Sequence, residues 1–119
     1  MSLKLGYQIN VNTSIGEGLY LGHRGTIIVN GNAVLGSHIN IANGVTIGQE
    51  NRGIRKGAPI IGNKVWIGSN VTIVGHINIG NNVLIAPNTY VNFNIPDDSI
   101  VIGNPGKIIH SINATEGYI

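Results

Sequence analysis

The sequence predicts an all-β chain wound as a solenoid, with short parallel strands stacked into a triangular coil around a narrow column of apolar side chains. Three observations predict it. Large apolar residues recur every sixth position along most of the chain. Ile and Val supply 32 of the 119 residues, a β-branched share that favours strand over helix. Gly and Asn supply another 35, spread evenly, and these two residues accept the positive φ that tight corners need.

The elements follow from the period. The series opens at Ile15 and Leu21, continues through Val29, Leu35, Ile41 and Ile47, and resumes through Ile61, Ile67, Ile73, Ile79, Ile85 and Val91. Four positions after these anchors come further residues of the same kind, among them Ala33, Ile39, Val45, Val65, Val71, Ile77, Val83, Thr89 and Ile95. A strand alternates faces with period two, so a six-residue unit holds one short strand and one corner. Three units close a triangle, and each coil touches mainly its neighbours. A β-sandwich would instead show strands every 8–12 residues with irregular loops.

Two breaks of phase carry information. The step from Leu21 to Val29 is eight, so two extra residues fall within GHRGTII. The step from Ile47 to Ile61 is fourteen, read here as two units plus two residues, and it contains QENRGIRKGAP. That segment, residues 49–59, is expected to leave the coil as a loop, and insertions in a solenoid collect on one face, often the functional one. Beyond Val91 the pattern is expected to fade into a C-terminal cap over about 96–119, because an open coil end exposes unpaired strand edges. The whole of 1–119 reads as one domain.

Composition narrows the partners. Abundant Ile and Val with only 10% charged residues exclude a disordered chain. The absence of Cys excludes a disulfide-stapled scaffold. No apolar run is long enough to span a membrane, and no charged leader with an apolar stretch follows Met1, so a cytoplasmic chain without membrane insertion is expected. A net charge of +2, with seven Lys and Arg residues, makes no nucleic-acid face. Arg52, Arg55 and Lys56 do cluster, enough to meet a few phosphates.

IGNKVWIGSNVTIVGHINIG followed by IPDDSIVIGNP resembles the hexapeptide-repeat acyltransferases, which fold as left-handed parallel β-helices. Within that superfamily the chain is similar to serine O-acetyltransferases and to acetyltransferases of capsular and other polysaccharide biosynthesis. The resemblance runs from about Gly6 to Ile109 and includes both phase breaks. It implies a homotrimer that uses acetyl-CoA as co-substrate, with sites between subunits, acting on a small-molecule acceptor.

The resemblance also assigns roles. His23, in LGHRGTIIV, falls on the catalytic base of that family. An alcohol is a poor nucleophile until a base of near-neutral pKa takes its proton, so an imidazole suits the task. With no Cys and no nucleophile elbow, direct attack in a ternary complex is expected rather than an acyl-enzyme. Ser69, Pro87 and Lys107 match positions beside CoA, and a cation at Lys107 suits a phosphate. Gln8, Arg52 and Arg55 are candidates for the acceptor side.

The chain departs from the serine acetyltransferase pattern in three places. Gly22 stands where the family has Asp before its catalytic His, Gln8 where an orienting Asp stands, and Ala58 where a second His precedes Pro59. These departures shift weight from serine towards a sugar hydroxyl.

His38, His76 and His110 read as surface or structural residues. No metal is expected. γ-Class carbonic anhydrases share the fold and bind zinc through three His, but the His spacings here are 15, 38 and 34. A hexapeptide scaffold that has lost catalysis is the alternative. An ice-binding solenoid would need a Thr ladder, and the six Thr form none.

Overall fold

The computed structural model describes residues 7–9, 13–22 and 25–119. Among them fifteen short strands form three sheets, one for each side of a triangular coil. The first sheet, face A, holds β1 (Tyr7–Ile9), β4 (Ile27–Val29), β7 (Thr46–Gly48), β10 (Thr72–Val74) and β13 (Tyr90–Val91) in that order. Face B holds β2 (Ser14–Ile15), β5 (Val34–Leu35), β8 (Ile60–Ile61) and β11 (Asn78–Ile79). Face C holds β3 (Tyr20–Leu21), β6 (Ile39–Ile41), β9 (Val65–Ile67), β12 (Val83–Ile85), β14 (Ser99–Ile102) and β15 (Lys107–His110). Every pairing is parallel except that of β14 with β15.

The register explains the sequence period. Ile60 pairs with Asn78, Val65 with Val83 and Thr72 with Tyr90, a step of 18 residues, or three six-residue units per coil. Each unit sends two residues inward, separated by one that faces out. Ile39 and Ile41, Val65 and Ile67, and Val83 and Ile85 are all buried, whereas Asn40, Trp66 and Leu84 between them are partly exposed. The anchors from Val29 to Val91 are buried without exception, as are the second residues of each unit. Ile15 and Leu21 are only partly buried, packed against the core at its N-terminal end.

Corners are turned by single residues of positive φ, including His38, Lys64, Asn70, Asn82, Asn88 and Asp98. Asn and Asp dominate because their short polar side chains tolerate this conformation best. At the corner between faces B and C the side chains also carry the stacking. Asn63 Oδ1 accepts from Ser37 N–H at 2.8 Å, Asn81 Oδ1 from Asn63 N–H at 2.7 Å, and Asp97 Oδ1 from Asn81 N–H at 2.7 Å. Backbone donors that the turn would strand are thus taken up by the coil above.

The phase breaks resolve into three insertions or deletions of stated size. Tyr7 pairs with Ile27, a step of 20, so the first break adds two residues to one coil. Val34 pairs with Ile60, a step of 26, so the second adds eight residues to a single 18-residue coil. The fourteen-residue step is therefore one unit plus an eight-residue excursion, not two units plus two. The anchor count alone does not distinguish these, because only pairing shows which residues share a corner.

A third break lies where the period seemed to fade. Ile79 pairs with Ile95 and Val83 with Ser99, a step of 16, so this coil is two residues short. The coil continues through β14, with Val101 fully buried. The antiparallel β15 then covers that strand's edge. Residues 111–119 turn back over face C: Asn82 Nδ2 donates to Ile112 O at 2.9 Å, Thr115 Oγ1 donates to Asn82 Oδ1 at 2.6 Å, and Asn40 Nδ2 donates to Tyr118 O at 3.2 Å.

Candidate active site

Three of the expected site positions among the described residues, Ser69, Pro87 and Lys107, lie along the edge between faces C and A. Its described part is built from the corners that follow β3, β6, β9, β12 and β14: Gly22 with 25–26, then 42–44, 68–70, 86–88 and 103–106. The two-residue insertion sits in the first of these. Gly22 N–H donates to Ile41 O at 2.9 Å on its entry, and Thr26 O accepts from Gly44 N–H at 2.6 Å on its exit. Gly25 holds φ +151°, and a Cβ there would fall 2.6 Å from Asn43 Cβ, so the bulge leans on the next coil too closely for any side chain. His23, the expected base, and Arg24 lie outside the described residues.

Ser69 and Pro87 occupy the same corner on successive coils above that bulge. Ser69 Oγ donates to Asn43 Oδ1 at 3.0 Å, and its backbone oxygen accepts from Asn88 N–H at 2.9 Å. Gly68 lies beneath Pro87, and a Cβ on it would stand 2.7 Å from Pro87 N. Lys107 pairs with Ile102 at the far end of the edge and is exposed. From Gly22 the sheet order crosses five strand spacings to Lys107, roughly 24 Å at 4.8 Å each. The edge thus runs from the first insertion at one end to a cation at the other.

Of the remaining candidates Gln8 borders this edge, and the loop arginines stand elsewhere. Gln8 is exposed on face A, paired with Ile28 just after the bulge, so it adjoins the same edge. Arg52 and Arg55 belong to the excursion at the opposite edge of face A, between faces A and B. The loop is pinned at its base, where Glu50 and Gly57 exchange two backbone hydrogen bonds of 3.0 Å. Its tip carries Ile54, 96% exposed. Within one chain, therefore, the arginines do not approach Ser69, Pro87 or Lys107.

Two features were not read from the sequence. His76, expected to be a solvent-facing corner, is exposed but tied to the loop: its N–H donates to Arg55 O at 2.8 Å and its Nδ1 lies 3.3 Å from Ala58 O. The second feature is a cavity of about 130 Å³ on face C, lined by Tyr20, Gly22, Asn40, Ile41, Ala42 and Trp66. Tyr118 lies over Trp66, with ring centroids 5.0 Å apart and planes tilted by 58°. The outward slot of Trp66 was legible from the period. That Tyr20, Asn40 and Trp66 form one column was not, because two insertions of different size separate them.

Among the described residues no three His, Asp or Glu side chains are placed to hold a metal ion, and no helix is long and apolar enough to cross a membrane.

Residues 58–92 match the family model of the bacterial transferase hexapeptide (six repeats). Serine acetyltransferase 2 of Arabidopsis thaliana is 36% identical over 104 residues, covering 87% of this chain and 32% of that protein. The crystal structure of Neisseria gonorrhoeae serine acetyltransferase superposes with a TM-score of 0.80 at 35% identity, over 89% of this chain and 41% of that one. The same enzyme in complex with serine gives 0.78 at 38% identity, over 86% and 42%.

Repeat, coil geometry and neighbours together define a hexapeptide-repeat chain built on the left-handed parallel β-helix. Within that class its sequence is similar to serine acetyltransferases along most of its length. The chain spans less than half the length of the relatives named here.

Proposed function

We propose that this chain is the catalytic β-helix of an acetyl-CoA-dependent O-acetyltransferase acting on the hydroxyl of a small acceptor. The observation that carries the reading is the single edge along which Ser69, Pro87 and the terminal Lys107 follow Gly22 and Gly25, the residues that flank His23 in the sequence, in a chain similar to serine acetyltransferases.

The roles follow from chemistry. CoA lies along the edge as an extended chain. Lys107 meets a phosphate through a charge-assisted hydrogen bond, Ser69 and Pro87 flank the pantetheine arm, and the thioester reaches the bulge. His23 takes the acceptor's O–H proton as that oxygen attacks the thioester carbonyl. A C–O bond forms, the C–S bond breaks, and the proton passes from the imidazole to the departing thiolate. Free CoA and an acetyl ester result, with no covalent enzyme intermediate.

Arg52 and Arg55 lie on the far edge of face A, so in this reading they act on the site of a neighbouring copy in a homotrimer. There they meet CoA phosphate or acceptor. Gln8, beside the bulge, contacts the acceptor. The departures at Gly22, Gln8 and Ala58 argue for a hydroxyl other than that of free serine.

The first test is thermal unfolding with and without millimolar acetyl-CoA. A ligand that binds only the folded state raises stability with the logarithm of its excess over Kd. A clear rise is expected; no rise at saturating cofactor sinks the reading and leaves a non-catalytic scaffold.

A further inference from the structure

We propose that Asn43 is a catalytic residue of the acetyl transfer: its side-chain N–H donates to the thioester carbonyl and to the oxyanion that forms when the acceptor attacks. This rests on the acetyl-transfer reading above and adds to it the group that carries the developing charge.

Register places the residue. Ile28 pairs with Thr46, Thr46 with Thr72 and Thr72 with Tyr90. Gly25, Asn43, Ser69 and Pro87, each three positions earlier, therefore stack in one column on the edge between faces C and A. Successive members of the column are one strand spacing apart, about 4.8 Å. Gly25 is the first described residue after His23 and Arg24, and a Cβ on it would lie 2.6 Å from Asn43 Cβ, so the two coils touch there. Asn43 is thus the step between the first insertion and Ser69. A thioester that approaches the insertion from the Ser69 side passes it.

The amide is held and its donors are free. Asn43 O accepts from Asn70 N–H at 3.0 Å, and Gly44 N–H donates to Thr26 O at 2.6 Å, which fixes the backbone of this corner. Asn43 Oδ1 accepts from Ser69 Oγ at 3.0 Å, and among the described residues nothing accepts from Nδ2. Both N–H bonds of a half-buried amide are therefore unspent. Turned over, the amide would donate one of them to Ser69 Oγ and still keep the other. A donor anchored in this way needs no reorganisation when charge appears, which is the condition for stabilising an oxyanion. As the acceptor oxygen bonds to the carbonyl carbon, the C=O π pair moves onto the carbonyl oxygen, where Nδ2–H meets it. Collapse restores the C=O bond and expels the thiolate of CoA, which takes up the proton held by the base.

Asn43→Asp isolates the donor, because it keeps an oxygen for Ser69 Oγ–H and nearly the same shape but no N–H. Asn43→Ala removes the donor without adding a charge. The full chain is assayed for free thiol released from acetyl-CoA, with water alone and with L-serine or methyl β-galactopyranoside as acceptor, and CoA binding is measured by calorimetry. Both variants are expected to lose about 10²–10³-fold in kcat. CoA, which has no acetyl carbonyl, should bind both within about threefold of the parent, and Tm should stay within about 2 °C. Either variant keeping kcat within about threefold of the parent overturns the assignment. So does a raised KM with kcat unchanged, which would make Asn43 a cofactor-holding residue. A fall in kcat matched by lost CoA binding and a lowered Tm in both variants also overturns it, since that is the mark of a structural role. A parent that releases no thiol under any condition overturns the transfer reading and this role together, whereas release that survives in the variants overturns this role alone.

Discussion

Replacing Gly68 by Ala tests whether the stacked edge is as tight as the geometry makes it. Gly68 is buried between Ile67 and Ser69, and an added Cβ would lie 2.7 Å from Pro87 N and 2.8 Å from Pro87 Cδ. Both atoms belong to a backbone and ring fixed by the next coil, so neither can swing aside as a flexible side chain would. The coil must open by several tenths of an ångström, against hydrogen bonds such as Gly68 N–H to Ile85 O at 2.9 Å. Overpacking of this kind costs about 1–3 kcal/mol.

Gly48→Ala is the matched control. Its nearest new contacts are Val74 Cγ1 at 3.5 Å and Thr46 Cγ2 at 3.9 Å, ordinary van der Waals distances. There the reduced freedom of the unfolded chain is expected to stabilise by about 0.4–1 kcal/mol. For a chain of 119 residues, 1 kcal/mol corresponds to about 4 °C in Tm. The two variants should therefore differ by roughly 6–16 °C in opposite directions from the parent. Calorimetry or circular dichroism at one fixed chain concentration measures this. A Gly68→Ala melt within about 2 °C of the parent, or an equal fall in Gly48→Ala, would refute the stacking argument.

Four further expectations follow from the same geometry. Ile73→Ala removes a fully buried anchor from the middle of the coil and should cost about 2–5 kcal/mol, read as a lowered urea midpoint. Asn63→Ala strands the Ser37 N–H and should cost about 1 kcal/mol or more, whereas Asn63→Asp, which copies Asp97 in the same ladder, should retain most of it. His23→Ala should lower acetyl transfer by about 10²–10⁴-fold while acetyl-CoA still raises Tm; undiminished turnover would remove His23 from the mechanism. Lys107→Ala should weaken acetyl-CoA binding by roughly tenfold or more and flatten its salt dependence, measured by calorimetry at two ionic strengths.

Much of this molecule can be read along the chain because a solenoid is nearly one-dimensional. Each unit is packed by residues six positions away or one coil away, so the period of Ile, Val and Leu already states which side chains are inside. The same reasoning located the first insertion within 22–28 and the excursion at 49–59, since a break of phase is visible wherever regularity surrounds it. It reached less far where regularity lapses. After Ile95 a two-residue deletion resembles the end of the pattern, yet Val101 is a core residue of a continuing coil.

The sequence by itself determined the coil, its inward residues, its corners and the place of its two insertions, because these depend on local conformation and a fixed repeat. Only the tertiary structure decided which corners stack. That choice depends on how many residues each coil gains or loses, and the steps of 20, 26, 18 and 16 residues are known only from the strand pairing. It put Ser69, Pro87 and Lys107 on the edge of the bulge and left Arg52 and Arg55 on another. It aligned Tyr20, Asn40 and Trp66 in one column and laid against the last two a tail that returns from the far end of the chain. Contacts between residues as distant as Asn40 and Tyr118 have no period to announce them, since they form only once the coil has brought its faces together.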